Sequence, residues 1–134
     1  MSLPVALDTN LLVRLLTNDD PQEAARVAEL IDSSPACFVP ITVVLELEWV
    51  LRGAYQLPRE AIIRALRGLL QIRQLYLEQE EQVRQALDWY AQGLDFADAL
   101  HLLRSEGCLA LVSFDRAFGR QARQMGLSPA VREP

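Results

Sequence analysis

Val5-Ala6-Leu7-Asp8-Thr9-Asn10 reads as a short strand that delivers a carboxylate to the start of a helix. Val5, Ala6 and Leu7 are apolar at successive positions, the pattern of a strand covered on both faces rather than a half-wet alternating one. A helical pattern begins at once beyond Asn10, so Asp8 is expected at the carboxyl end of the first strand. In open α/β sheets that edge is where ligands bind. Asp in that place also caps a helix N-terminus, and one residue does not decide between the two roles.

The rest of the chain repeats the alternation. Leu11 to Leu16 continue as a short, mostly buried helix. Asp20-Pro21-Gln22-Glu23 supplies an N-cap, a proline at the first helical position and a capping-box acid, with Ala24, Val27, Ala28 and Ile31 as one apolar face. Cys37-Phe38-Val39 is a second buried strand closed by Pro40. Thr42 is expected to cap a third helix carrying Glu46 and Glu48, and Pro58-Arg59-Glu60 opens a fourth with Ile62, Ile63, Leu66, Leu69 and Leu70 as its stripe. Leu75-Tyr76-Leu77 is a brief strand. Helices over 80–92 and 95–106 end at Gly93 and Gly107, as C-terminal glycines do. Leu109 to Ser113 is a further strand, Asp115 follows it, and a last helix runs from Arg116 to about Met125. The expectation is one α/β domain over residues 1–134, with a short parallel sheet of about four to five strands flanked by about seven helices.

Composition narrows the chemistry. A chain of 134 residues with 51% hydrophobic and 23% charged residues suits a globular domain with a real core. No apolar run is long enough to cross a membrane, and no basic stretch precedes an apolar core as in a signal peptide, so a cytoplasmic, non-membrane protein is expected. Cys37 and Cys108 lack metal-ligand or disulfide-framework spacing and read as two buried thiols. The net charge of −5 argues against indiscriminate coating of nucleic acid. All 13 basic residues are Arg, so P-loop and Schiff-base chemistry, which need Lys, are excluded.

Acidic residues recur at strand ends and helix starts. Asp8 and Asp115 each follow a strand, so parallel strands would put them at one edge of the sheet. Asp95 and Asp98 begin a helix, one turn apart on one face, and Glu46 lies a turn into another amid Val43, Val44, Leu45 and Leu47. Each acid alone has an ordinary explanation as a cap, a dipole partner or a solvated side chain. Together they form an oxygen-rich set suited to Mg2+ or Mn2+, and no His or Cys cluster favours zinc. His101 reads as a helix-packing residue. Trp49, Trp89, Tyr55 and Tyr90 read as core or dimer contacts.

Four segments in this order resemble the PIN-domain ribonucleases, most closely the VapC-type toxins of toxin–antitoxin pairs. They are Leu7-Asp8-Thr9-Asn10, Thr42-Val43-Val44-Leu45-Glu46, Asp95-Phe96-Ala97-Asp98-Ala99-Leu100-His101 and Ser113-Phe114-Asp115, and the likeness runs from Val5 to about Leu127. The resemblance implies a PIN-like fold and an endoribonuclease. It implies that Asp8, Glu46, Asp98 and Asp115 are catalytic and bind Mg2+ or Mn2+, with Asn10, Ser113 and Asp95 beside them as orienting groups. It further implies products with a 5′-phosphate and a 3′-hydroxyl, a homodimer, and a VapB-like antitoxin partner with a basic side chain for the acidic site. Arg14, Arg116 and Arg120, with Arg123 on the same helix face as the last two, are candidate contacts for RNA phosphates, set against an ordinary solvated face.

Two other readings compete. A non-catalytic PIN-like scaffold would bind a partner without cutting. An aspartate phosphoryl-transfer domain also places Asp at strand ends with Mg2+. That reading needs a Lys, and its phosphatase version needs a second Asp where this chain has Asn10.

Overall fold

A computed structural model describes residues 3–134 of the chain. Its internal contacts divide it into two compact units, one ending at Arg84 and the other spanning Gln85–Pro134.

The first unit contains β1 (Val5–Ala6), α1 (Thr9–Thr17), α2 (Pro21–Ser33), β2 (Cys37–Val39), α3 (Ile41–Gly53), α4 (Arg59–Leu70) and β3 (Leu75–Leu77). The strands form a parallel sheet in the order β1-β2-β3, with Val5 opposite Cys37 and Cys37 opposite Leu75. Parallel neighbours need long crossovers, and the helix pairs α1–α2 and α3–α4 supply them. Asp20 caps α2 by accepting the Glu23 N–H at 3.1 Å, with Pro21 in the first turn, as its sequence signature requires. Val39, Val44, Leu47, Leu51, Ile62 and Leu66 are fully buried and form the apolar interior.

The division falls within α5 (Glu80–Ala91). Beyond it come α6 (Phe96–Leu103), β4 (Ala110–Val112), α7 (Arg116–Gln124) and β5 (Ala130–Arg132). Strands β4 and β5 pair in parallel, Ala110 opposite Ala130 and Val112 opposite Arg132. Tyr90 and Phe96 pack edge to face at 5.5 Å, a favourable aromatic geometry. Phe118, Ala122 and Val131 are buried between α7 and β5. Gly93, with φ of 110°, makes the left-handed turn out of α5 that a side chain would resist.

The α/β class holds, with seven helices and five short strands among the described residues. Several local expectations do not. The strands lie in a three-stranded and a two-stranded sheet, because β4 takes its ladder partner from β5, beyond the last helix. β1 is exposed at both positions, with Val5 46% accessible; it is the end strand of its sheet, and the chain's burial starts only at Leu7. Helix α3 begins one residue before Thr42. The extended Pro40 precedes it, and the Pro40 carbonyl accepts from Val43 and Val44. Asp95 caps α6 from outside the helix. Cys108 is exposed while Cys37 is buried. Glu48 is 1% exposed and paired with Arg52 at 2.8 Å, one helical turn on. Among the described residues no helix is long and apolar enough to cross a membrane.

Candidate functional site

In the first unit the site is built where α1 starts against α3. Asp8 has extended backbone and caps α1, its Oδ1 accepting the Thr9 N–H at 2.8 Å. The carboxylate is therefore both cap and exposed acid, with its second oxygen uncommitted. Thr9 is buried, and its hydroxyl donates to Oε1 of Glu46 on α3. That bond spans 37 residues of sequence and pins an exposed carboxylate next to the Asp8 turn. Asp8, Asn10 and Glu46 line one open cavity of about 430 Å³.

Arg14 and Tyr55 border the same cavity, and Arg14 is already engaged. Its guanidinium meets Glu23 at 2.7 Å and Asp19 at 3.4 Å, with the Tyr55 hydroxyl at 3.4 Å. Tyr55 also donates to Asp19 at 2.6 Å, which holds that carboxyl below the usual carboxylate range.

In the second unit Asp98 lies within electrostatic range of Asp95 and Asp115. Asp95 caps α6 by accepting the Asp98 N–H at 3.1 Å, and Asp115 caps α7 by accepting the Phe118 N–H at 3.0 Å. Ser113 accepts the Asp115 N–H at 3.0 Å, and its own N–H is tied to Arg132 of β5 at 2.9 Å. The turn presenting Asp115 is thus fixed from both sides. Asp98 is half-buried in the first turn of α6. Burial first, then the charges of Asp95 and Asp115, hold its carboxyl above the usual carboxylate range, with His101 pulling weakly the other way. Among the described residues its carboxylate has neither a hydrogen-bond donor nor a salt-bridge partner. His101 is exposed rather than packed, because it lies on the outer side of a helix whose inner side is Ala99, Leu100 and Leu102.

The structure thus brings Asp8 and Glu46 to one cavity in the first unit, and Asp98 within reach of Asp95 and Asp115 in the second. Among the described residues no three His, Cys, Asp or Glu side chains stand close enough together to form a ready-made metal cage. In donor chemistry the residues fit a hard divalent cation. They offer carboxylate oxygens with free lone pairs at Asp8, Asp98 and Asp115, and an imbalance of negative charge at Asp98.

Sequence reasoning passed over two contributors. Thr9 stood inside the motif without a role; a hydroxyl beside a strand-ending acid was the available signal. Arg132 stood in a segment with no strand signal, since only Val131 of β5 is buried. Of the expected phosphate contacts, Arg116 pairs with Glu133 at 3.2 Å, while Arg120 and Arg123 are exposed on the same face of α7.

Residues 5–124 match the PIN domain family. Among curated proteins no match was found.

Proposed function

Because this chain belongs to the PIN domain family, typically one of nucleases, we propose that it is an endoribonuclease that uses Mg2+ or Mn2+ to hydrolyse RNA phosphodiester bonds. One observation carries the metal dependence. Asp98 is half-buried within electrostatic range of the Asp95 and Asp115 carboxylates and, among the described residues, has no hydrogen-bond donor or ion-pair partner, a concentration of negative charge that a bound cation would offset. On the resemblance of the motif segments, Asp8, Glu46, Asp98 and Asp115 are the residues that would hold one or two such ions. When bound, an ion would supply charge neutralisation at the phosphate and a more acidic water.

The chain's own residues do the positioning. Thr9 orients Glu46, Ser113 fixes the turn at Asp115, and Asp95 shapes the first turn of α6 beneath Asp98. Asn10 adds an exposed amide to the Asp8 cavity, placed to orient substrate or water. Attack by water leaves a 5′-phosphate and a 3′-hydroxyl. A lone exposed His101 cannot serve as both acid and base of a cyclising mechanism.

We extend the proposal to a cytoplasmic VapC-type toxin that acts as a single-domain homodimer and is held by a VapB-like antitoxin. Its support is the resemblance of the four motif segments and an acidic site that suits a basic antitoxin side chain. Trp49 on α3 is an exposed apolar side chain, 64% accessible, available for a contact between copies. The competing reading, a non-catalytic PIN-like scaffold, is favoured by the lack of a ready-made three-ligand cluster among the described residues.

Incubation of the purified protein with structured and single-stranded RNAs, in Mn2+, Mg2+ or EDTA, separates the two. The nuclease reading expects cutting with either metal, none in EDTA, and 5′-phosphate ends. Cutting that persists in EDTA, or cyclic phosphate ends, would overturn it. Mn2+ that releases no heat on titration would favour the scaffold.

A further inference from the structure

The face shared by α7 and β5 carries a second feature that the carboxylates do not explain. A cavity of about 270 Å³ opens there, bordered by Asp115 and Ser113 on one side. Arg116, Arg120, Arg123 and Arg132 surround it, against only two acids, Asp115 and Glu133. Arg116, Arg120 and Arg123 fall at four- and three-residue intervals, so α7 aims all three in one direction. Arg132 joins them from β5, whose register with β4 sets it opposite Val112.

Two of these arginines are already used. Arg116 pairs with Glu133 at 3.2 Å, and Arg132 donates to the Glu133 carbonyl at 3.1 Å. Arg120 and Arg123 are exposed and, among the described residues, have no hydrogen-bond or ion-pair partner. Gly119 lies beside Arg123 on the cavity wall, where an added Cβ would meet Nη1 of Arg123 and the Val131 carbonyl at 3.6 Å. Arginine forks match phosphate oxygens two at a time, and a concave site concentrates their field.

We infer that this cleft binds a backbone phosphate of the RNA strand, next to the phosphate presented to Asp115, with Arg120 and Arg123 as its ligands and Arg116 and Arg132 as its rim. This rests on the nuclease reading and adds the strand-holding subsite that a chain of net charge −5 otherwise lacks. The contact is with phosphate, so it is indifferent to base sequence and sensitive to salt.

The test is fluorescence anisotropy of a labelled single-stranded RNA in EDTA, over a salt series. The wild type is compared with the double variant Arg120→Gln/Arg123→Gln and with Arg64→Gln, an exposed arginine on α4. Thermal melts verify that each variant is folded. The double variant is expected to bind about tenfold more weakly, with a salt slope reduced by about one to two, while Arg64→Gln stays within about twofold. An unchanged slope and affinity in the double variant, or an equal loss in Arg64→Gln, would overturn the assignment. So would competition by inorganic phosphate that the double variant loses while strand binding persists, since a free ion would then be the occupant. The two readings fail separately. Arginine-dependent binding without cleavage under any metal condition sinks the nuclease and keeps the cleft; metal-dependent cleavage with arginine-independent binding does the reverse.

Discussion

Glu46 and Glu48 are two residues apart and live in opposite environments. Glu46 is exposed and held by the Thr9 hydroxyl, whereas Glu48 is buried and neutralised by Arg52. Removing Glu48 leaves a hole and strips Arg52 of its partner, so Glu48→Ala should lower unfolding stability by about 2 kcal/mol in urea melts. Cleavage per folded molecule should stay at the wild-type rate. Glu46→Ala should do the opposite, and matching losses of activity in both would contradict the assignment. Asp98 makes a second residue-scale case. Burial and the neighbouring acids disfavour its charged form, so its pKa is higher in the folded than in the unfolded chain. The folded state then holds the proton more tightly, and the metal-free protein loses stability as pH rises from the unfolded pKa through the folded one. In EDTA at neutral pH, Asp98→Asn should melt higher than the wild type, the gap closing in acid. A variant that melts lower at every pH would show that the carboxylate is already compensated.

Elements explain why the candidate acids looked ambiguous. Asp8, Asp95 and Asp115 are N-caps of α1, α6 and α7, so the ordinary reading is true of them, and the proposed function would use the same carboxylates. Asn keeps a cap and removes the charge, which lets substitution separate the two roles. Much of this was legible. The α2 cap, the Cys37–Val39 and Leu75–Leu77 strands and the buried stripe of α4 follow from local pattern. What stayed hidden depends on partners distant in sequence. β5 is three residues with one buried side chain and becomes a strand only because β4 is beside it. β1 has the composition of a buried strand but lies at the end of its sheet's order. The Glu48–Arg52 pair was a missed signal, since opposite charges four apart on a helix were visible. Gly68 gives an element-scale prediction. It is exposed within α4, and an added Cβ would meet nothing within 4 Å. Gly68→Ala should therefore raise stability by about 0.5–1 kcal/mol in thermal or urea melts, through the lower entropy of the unfolded chain. A loss would mean that α4 is not the continuous helix described.

For the whole molecule, negative charge predominates, with 18 acidic residues against 13 basic ones. The net charge of −5 repels a polyanion at long range, and the arginines of α7 and β5 supply local attraction beside one of the acids. Metal uptake would lower the negative charge where substrate must approach, so substrate binding and metal binding should reinforce one another. The central proposal is that Asp8, Glu46, Asp98 and Asp115 all serve one reaction. Its most direct test is the single-turnover rate of RNA cleavage in Mn2+ for Asp8→Asn, Glu46→Gln, Asp98→Asn and Asp115→Asn, each corrected for folded fraction. All four rates are expected to fall about a hundredfold or more, as losses of groups that act as a unit do. A near-wild-type rate in any one of them would remove that residue from the set, and near-wild-type rates in Asp8→Asn and Asp98→Asn together would contradict the carboxylate centre altogether.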